Sequence, residues 1–269
     1  MDNRLPLHVD GLNKVLSIKV HSTEDKYISN TIRKTNQWEP YETKLVIQNL
    51  EPGQTFIDVG ANIGYFSLIA AEAVGPNGRV LSFEPEAKNY ALLAENISHF
   101  SFSQVETVHA ALSNCDNNGT LYMSEDNWGD HQIYQGATSD RKSQPIRLLR
   151  GDQFLLKRLE KVDFIKIDTQ GAEYQVVSGL REILLNSLPS LQMIVEFWPQ
   201  GLRQSGSSGH ELLDLLLGLN LPIAIIDHLS EKLTPVHESG LRGWIDKVDE
   251  NPADKSFANL FVGHSKNKE

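Results

Sequence analysis

Seven short runs rich in Val, Ile, Leu and Phe recur along the chain, at residues 55–59, 79–84, 105–112, 164–169, 191–198, 223–228 and 257–264. None alternates apolar with polar residues as a half-exposed strand does, so each reads as a strand covered on both faces. Between them, apolar residues fall at helical spacing over residues 66–74, 87–97, 172–185 and 211–219. Strand and helix alternate from about residue 55 to 226, which predicts an α/β fold built from crossover units on a mostly parallel sheet.

Two stretches depart from this rhythm. Residues 1–50 precede the first strand and are expected to add a short strand at 15–20 and a helix at 40–49. Residues 113–162 form a long excursion between the third and fourth strands. Its apolar pieces at 121–123, 132–134 and 146–149 predict an inserted hairpin or small antiparallel strands, since long excursions inside a domain are structured or functional. The division that follows is an N-terminal extension (1–50) serving as lid or cap, and a main domain (51–269) carrying the insertion (113–162). Residues 200–209, with Gly201, Gly206, Gly209 and three serines, read either as a surface linker or as a lid over the carboxyl ends of the strands.

Composition narrows the function classes. The chain has 269 residues, with 35 acidic side chains against 25 Lys plus Arg and a formal charge of −10. That balance argues against a nucleic-acid partner, which needs many cations to displace counterions. The single cysteine, Cys115, excludes an internal disulfide and suits a reducing compartment. The start, Met1-Asp-Asn-Arg-Leu-Pro, has no basic segment followed by an apolar stretch, and the most apolar region, 212–226, is broken by Asp214, Gly218, Asn220 and Pro222. A soluble, cytoplasmic protein with no membrane partner is the expectation. No Cys/His cluster has zinc-site spacing, and no metal is expected.

The most informative segment is Phe56-Ile57-Asp58-Val59-Gly60-Ala61-Asn62-Ile63-Gly64-Tyr65-Phe66-Ser67. A buried strand ends in an Asp and turns through Gly60, Asn62 and Gly64 into a helix. Such a turn lets a ligand approach the backbone where free N–H groups point. Glu84 closes the next strand, where an acidic side chain can accept both hydroxyls of a ribose. A dinucleotide fingerprint wants glycine where Asn62 stands and a different third-glycine spacing, so a nicotinamide-dependent oxidoreductase is the weaker of two nucleotide readings. The spacing Asp58-x-Gly60-x-x-x-Gly64 resembles motif I of Rossmann-like S-adenosylmethionine-dependent methyltransferases.

A more specific resemblance lies downstream. Phe164-Ile165-Lys166-Ile167-Asp168-Thr169-Gln170-Gly171-Ala172-Glu173 is similar to the I-D-V-E-G-A-E signature of the FkbM-type methyltransferases. Gly179-Leu180, Ile194-Val195-Glu196, Phe83-Glu84-Pro85 and Ala110-Ala111-Leu112-Ser113 follow that family in order, over roughly residues 40–264. One residue departs: Gln170 stands where the family has Glu. The resemblance implies a seven-stranded, mostly parallel sheet with one antiparallel strand near the end. It also implies methyl transfer from S-adenosyl-L-methionine, most often to a hydroxyl of a small molecule or glycan. Methylation of peptide nitrogen and a catalytically silent cofactor-binding protein remain alternatives.

By that resemblance Gly60, Ala61, Asn62 and Gly64 cradle the methionine part through backbone groups, and Asp58 holds the loop or the amino group. Phe66 and Ser67 lie near the cofactor carboxylate, Glu84 takes the ribose hydroxyls, Pro85 shapes that loop, and Ala111 and Leu112 flank the adenine. Asp168 faces the methyl-transfer centre. Proton removal helps an alcohol attack, and Asp168, Glu196, His131 and His228 are the candidate bases, Glu196 on the same rim as Asp168. His131 belongs to Asn127-Trp128-Gly129-Asp130-His131-Gln132 in the insertion, whose mix suits an acceptor pocket or lid. Glu173 reads as a dipole-favoured helix start, and Glu42 as a helix cap or a group reaching the cofactor. Trp198 and Trp244 read as packing or pocket lining.

Overall fold

Strands buried on both faces need helices on both faces, and the chain supplies them in two batches. In the computed structural model, residues 4–22, 25–135, 141–251 and 253–266 are described. The first three residues, on which the reading of the chain's start leaned, and residues 136–140 of the expected insertion lie outside the described residues. The N-terminal part contributes β1 (Leu5–Pro6), β2 (Ser17–Ile18), α1 (Ile28–Thr35) and α2 (Pro40–Asn49). Then come β3 (Thr55–Val59), α3 (Tyr65–Val74), β4 (Arg79–Phe83), α4 (Ala87–His99) and β5 (Val105–Val108). The excursion holds β6 (Ala111–Ser113), β7 (Asn117–Tyr122), β8 (Ser143–Arg150) and α5 (Gly151–Leu155). The chain returns through β9 (Phe164–Ile167), α6 (Glu173–Gly179), α7 (Arg181–Asn186), β10 (Gln192–Phe197), α8 (Pro199–Gln204) and α9 (Gly209–Leu217). It closes with β11 (Ile223–Asp227), β12 (Lys232–Pro235), α10 (Glu238–Glu250) and β13 (Ala258–Val262).

The central sheet runs β12-β11-β13-β10-β9-β3-β4-β5. It is mostly parallel: β13 is antiparallel to both of its neighbours, and β12 folds back antiparallel on β11. Among the described residues the sheet contains a strand in each of the seven expected runs and, beside them, β12 as the edge arm of a hairpin. The N-terminal helices α1 to α4 pack on one face, with Ile32, Leu45, Leu68 and Leu93 meeting Phe56, Phe164 and Phe261. The later helices α5 to α7, α9 and α10 cover the other face, with Val176, Ile183, Leu213 and Ile245 meeting Ile57, Ile165 and Val195. This segregation follows from the strand period of two, which sends Phe56 and Ile57 to opposite faces.

Several boundaries differ from the expectation for identifiable reasons. The run 105–112 is two strands, because the Ala110 amide turns back on the Val108 carbonyl at 2.9 Å and breaks it. β6 then leaves the central sheet and pairs in parallel with β8, which pairs antiparallel with β7. Residues 132–134 are no strand; only Gln132 makes an isolated bridge, to Tyr122. The helix expected over 172–185 breaks after Gly179, a position where any Cβ would run into the Ser113 carbonyl. Residues 200–209 are largely helical. Pro199 opens α8 at its first turn, and the Ser208 side chain caps α9 by accepting from the Glu211 amide. The strand expected at 15–20 is the two-residue β2, paired with β1, whereas α2 spans the expected helix from Pro40.

The order of strands places the site. From β3 the chain steps outward to β4 and β5, then returns to the other side of β3 as β9 and β10. Open α/β sheets bind ligands beyond the carboxyl ends of strands at such a switch point. Here it falls between β3 and β9, where Asp58 pairs in register with Lys166, and Lys166 with Ile194. Two residues further on stand Gly60, Asp168 and Glu196.

Candidate active site

A cleft of about 860 Å³ opens at the switch point. Its walls include Asp58, Gly60, Ala61, Asn62, Phe66, Asp168 and Glu196, with Trp38 and Glu39 from the N-terminal part and Trp198 beside α8. A narrower slot adjoins it, sharing Gly60, Asn62, Gly129, Asp168 and Gln170, and is lined further by Glu84, Pro85, Ala111, Leu112 and His131. The sequence-predicted residues thus fall into two connected spaces. Gly64 and Ser67 line neither; Gly64 backs onto Leu93 of α4, and Ser67 is fully buried.

The loop after β3 is held by its own bonds. The Gly60 and Ala61 amides both donate to the Phe83 carbonyl, at 3.0 and 2.9 Å, and the Gly64 amide to the Ala61 carbonyl. The Asn62 amide donates to Glu84 Oε2 and the Ile63 amide to Asn62 Oδ1, each at 2.8 Å. The amides of Gly60, Ala61, Asn62 and Gly64 are thereby satisfied within the chain. The amides left without an intrahelical acceptor are those of the first turn of α3, where Tyr65 and Phe66 line the cleft. What Gly60 contributes is lack of bulk: at φ 83°, a Cβ would fall on the Asp168 carbonyl.

Asp58 points to the same face as α3 and accepts from the Ser67 hydroxyl at 2.6 Å, which also contacts Ser82 Oγ at 2.7 Å. Burial pushes the Asp58 carboxyl up to about 6, against the pull of the Ser67 bond. Glu84 is 5% exposed, with Oε1 taking the Glu86 amide and Oε2 the Asn62 amide at 2.8 Å. Burial lifts it to about 8 despite these bonds. Each of its oxygens keeps a lone pair for a further donor.

Around the rim of β9 and β10 the side chains form one network. Lys166 Nζ lies 3.0 Å from Asp168 Oδ2, 3.5 Å from Glu42 and 3.6 Å from Glu39, and 4.6 Å from the centre of the Phe66 ring. Burial pulls this ammonium down, but Asp168, Glu39 and Glu42 outweigh it and hold it well above its usual range. The Gln170 amide nitrogen sits 2.9 Å from Asp168 Oδ1 and 3.0 Å from both oxygens of Glu196. Its two hydrogens thereby bridge two carboxylates, which a glutamate at 170 does not do when ionised. Burial first, then Asp168 and Glu173, raises Glu196 well above the usual carboxylate range. Burial, with Glu42 next, does the same to Glu39.

The loop carrying Gln170 is shaped by Glu173. Its carboxylate accepts from the Thr169 amide and hydroxyl and from the Gly171 amide, all within 3.0 Å. Glu173 is thus a buried loop-holder as well as an acidic residue at a helix start; burial lifts it to about 7. From the insertion, Tyr134 Oη donates to the Gln170 carbonyl at 3.0 Å. The insertion also closes over the first loop, because Asn62 and Asn89 both donate to the Trp128 carbonyl, at 2.9 and 3.1 Å. Asn62, Glu39 and Gln170 all sit in the left-handed region, at φ 50°, 43° and 54°, and all three line the cleft. Such backbone persists where surrounding structure over-determines it, commonly at functional sites.

His131 makes no hydrogen bond to either rim carboxylate among the described residues. It lines the slot, its Nδ1 accepts the Ser124 amide at 3.0 Å, and burial followed by Arg141 lowers it to about 4. His228 lines neither space and sits 3.4 Å from Glu42. Trp244 packs against Phe197. Glu42 is buried beneath the cleft, accepting from Asn259 and ion-paired with Lys166 rather than capping its helix. Among the described residues no group of three or more His, Cys, Asp and Glu is arranged to hold a metal ion. No helix is long and apolar enough to cross a membrane there.

With this geometry in place, comparison with known proteins is informative. The family model described as "Methyltransferase FkbM domain" matches residues 58–221, well over half of the chain. The chain is 29% identical over 192 residues to "Methyltransferase sdnD" of Sordaria araneosa, covering 58% of this chain and 71% of that protein. It is 29% identical over 172 residues to "AMB antimetabolite synthetase AmbE" of Pseudomonas aeruginosa, covering 51% of this chain but only 8% of that one. Among solved structures it resembles the methyltransferase FkbM of Methylobacillus flagellatus KT, with a TM-score of 0.47, 15% identity, and coverage of 80% of this chain and 44% of that chain.

Proposed function

The chain belongs to the FkbM methyltransferase family, and from that premise we propose that it moves the sulfonium methyl of S-adenosylmethionine to a hydroxyl of a small molecule or glycan. The observation that carries this reading is the pair of connected spaces meeting at Asp168 and Gln170. The slot offers a buried carboxylate, Glu84, to a ribose, and apolar walls at Ala111 and Leu112 to a base. The cleft offers Asp58 and the start of α3 to an amino acid tail, and leaves its outer part, toward Trp38, Trp198 and Phe257, for the acceptor.

When bound, S-adenosylmethionine supplies a methyl carbon on a positive sulfur; the acceptor oxygen bonds to it, the carbon–sulfur bond breaks, and its electron pair stays on sulfur. The chain's part is alignment and proton removal. Asp168, pinned by Lys166 and Gln170, flanks the junction of the two spaces. Glu196, on the acceptor side only, takes the proton leaving the hydroxyl. Gln170 positions both carboxylates. The fully used lone pair on His131 Nδ1 removes it from the base role.

Calorimetry with S-adenosylhomocysteine tests the cofactor assignment: no heat at millimolar ligand overturns it. Glu84→Ala is expected to weaken that binding by about 1–3 kcal/mol, a loss of one or two charge-assisted contacts. Transfer of labelled methyl to a panel of sugars, phenols and amines tests the acceptor, with turnover of amines alone counting against the hydroxyl reading.

A further inference from the structure

One buried donor near the slot has no use in the scheme above. The Ser124 amide hydrogen occupies the Nδ1 lone pair of His131 at 3.0 Å. In a neutral imidazole the other nitrogen then carries the proton and is a donor. That nitrogen, Nε2, is buried and has no hydrogen-bond partner among the described residues. An unmade bond at such a group costs more than a made one returns, so a buried orphan calls for a partner. His131 lines the slot together with Glu84, Pro85, Ala111 and Leu112. The segment that carries it is anchored at Trp128, three residues earlier, whose ring lies tilted against His21 with centroids 4.2 Å apart and whose carbonyl is bound by Asn62 and Asn89.

We propose that His131 Nε2–H donates to a ring nitrogen of the adenine of S-adenosylmethionine, making this residue of the insertion a reader of the base. This rests on the cofactor assignment above. Adenine presents acceptor nitrogens in its ring, and an N–H donor in an apolar slot selects for them. The protonation state suits the role: buried and beside Arg141, the imidazole titrates near 4, so it stays neutral with its Nε2 hydrogen at ordinary pH. The Ser124 bond locks the tautomer, as a partner on one ring nitrogen does for the other.

The test is calorimetry with S-adenosylhomocysteine and its 1-deaza, 3-deaza and 7-deaza analogues on wild type, His131→Leu and His131→Gln. His131→Leu is expected to bind S-adenosylhomocysteine about five- to tenfold more weakly, with His131→Gln recovering part of the loss through its amide donor. One analogue of the three should bind wild type weakly by a similar factor and lose nothing further in His131→Leu, the non-additivity expected of two groups sharing one bond. A lid merely loosened by the substitution would weaken all four ligands alike. Equal affinity of wild type and His131→Leu, or losses that add for every analogue, overturns the proposal. Wild type that binds none of the four overturns the cofactor assignment itself, and this proposal with it.

Discussion

Lys166→Met is expected to destabilise the fold by about 3–5 kcal/mol, the range for removing one partner of a buried ion pair. Lys166 is 4% exposed and faces Asp168, Glu42 and Glu39 within 3.6 Å. Methionine fills a similar volume against Phe66, so the change isolates the charge. It leaves carboxylates gathered in a desolvated site, where repulsion and burial act together. The loss should appear as a lower midpoint in urea with an unchanged slope. Adding Glu42→Gln to the Lys166→Met variant should restore part of it, because the two residues share one network. A change below about 1 kcal/mol would show that the pairing barely exceeds the desolvation it offsets. The same variant should turn over slowly, since Asp168 loses its 3.0 Å anchor.

Strand periodicity correctly identified the run Phe164-Ile165-Lys166-Ile167 as buried, and a lysine inside such a run is the signal of a partnered charge. Asp168, two residues on, is one partner, but Glu39 and Glu42 come from the N-terminal part, more than a hundred residues away, and only the packing of α2 on the sheet brings them near. The turn after β3 was legible for the opposite reason: Asp58, Gly60 and Gly64 state a local backbone geometry. What that local geometry does not reveal is that Phe83 and Glu84, at the end of the next strand, take the amides of Gly60, Ala61 and Asn62. Gln170 read only as a departure from the family's Glu; the two carboxylates it bridges lie at the ends of separate strands. The split of residues 105–112 was hidden because a single tight turn at Ala110 leaves no Gly or Pro behind.

Glu196→Gln is expected to lower kcat by about 10²–10⁴-fold, the usual contribution of a positioned general base, while leaving affinity for S-adenosylhomocysteine within a factor of two or so, as Glu196 lines the cleft but not the slot. The substitution is nearly isosteric, and Gln170 can still donate to its carbonyl, so folding should be preserved. The pH profile separates a base from a merely structural carboxylate. Glu196 is held well above its ordinary range by burial and then by Asp168 and Glu173, and only its ionised form accepts a proton. Turnover in wild type should therefore rise with pH as that carboxyl ionises and then level off. Glu196→Gln should lack this limb. Gln170→Glu replaces the bridging donor with a third carboxylate beside Asp168 and Glu196, which favours the protonated form further and should move the limb to higher pH. If Glu196→Gln kept both its rate and the limb, the proton would be leaving by another route, and Asp168, 2.9 Å from the same amide, would be the group to substitute next.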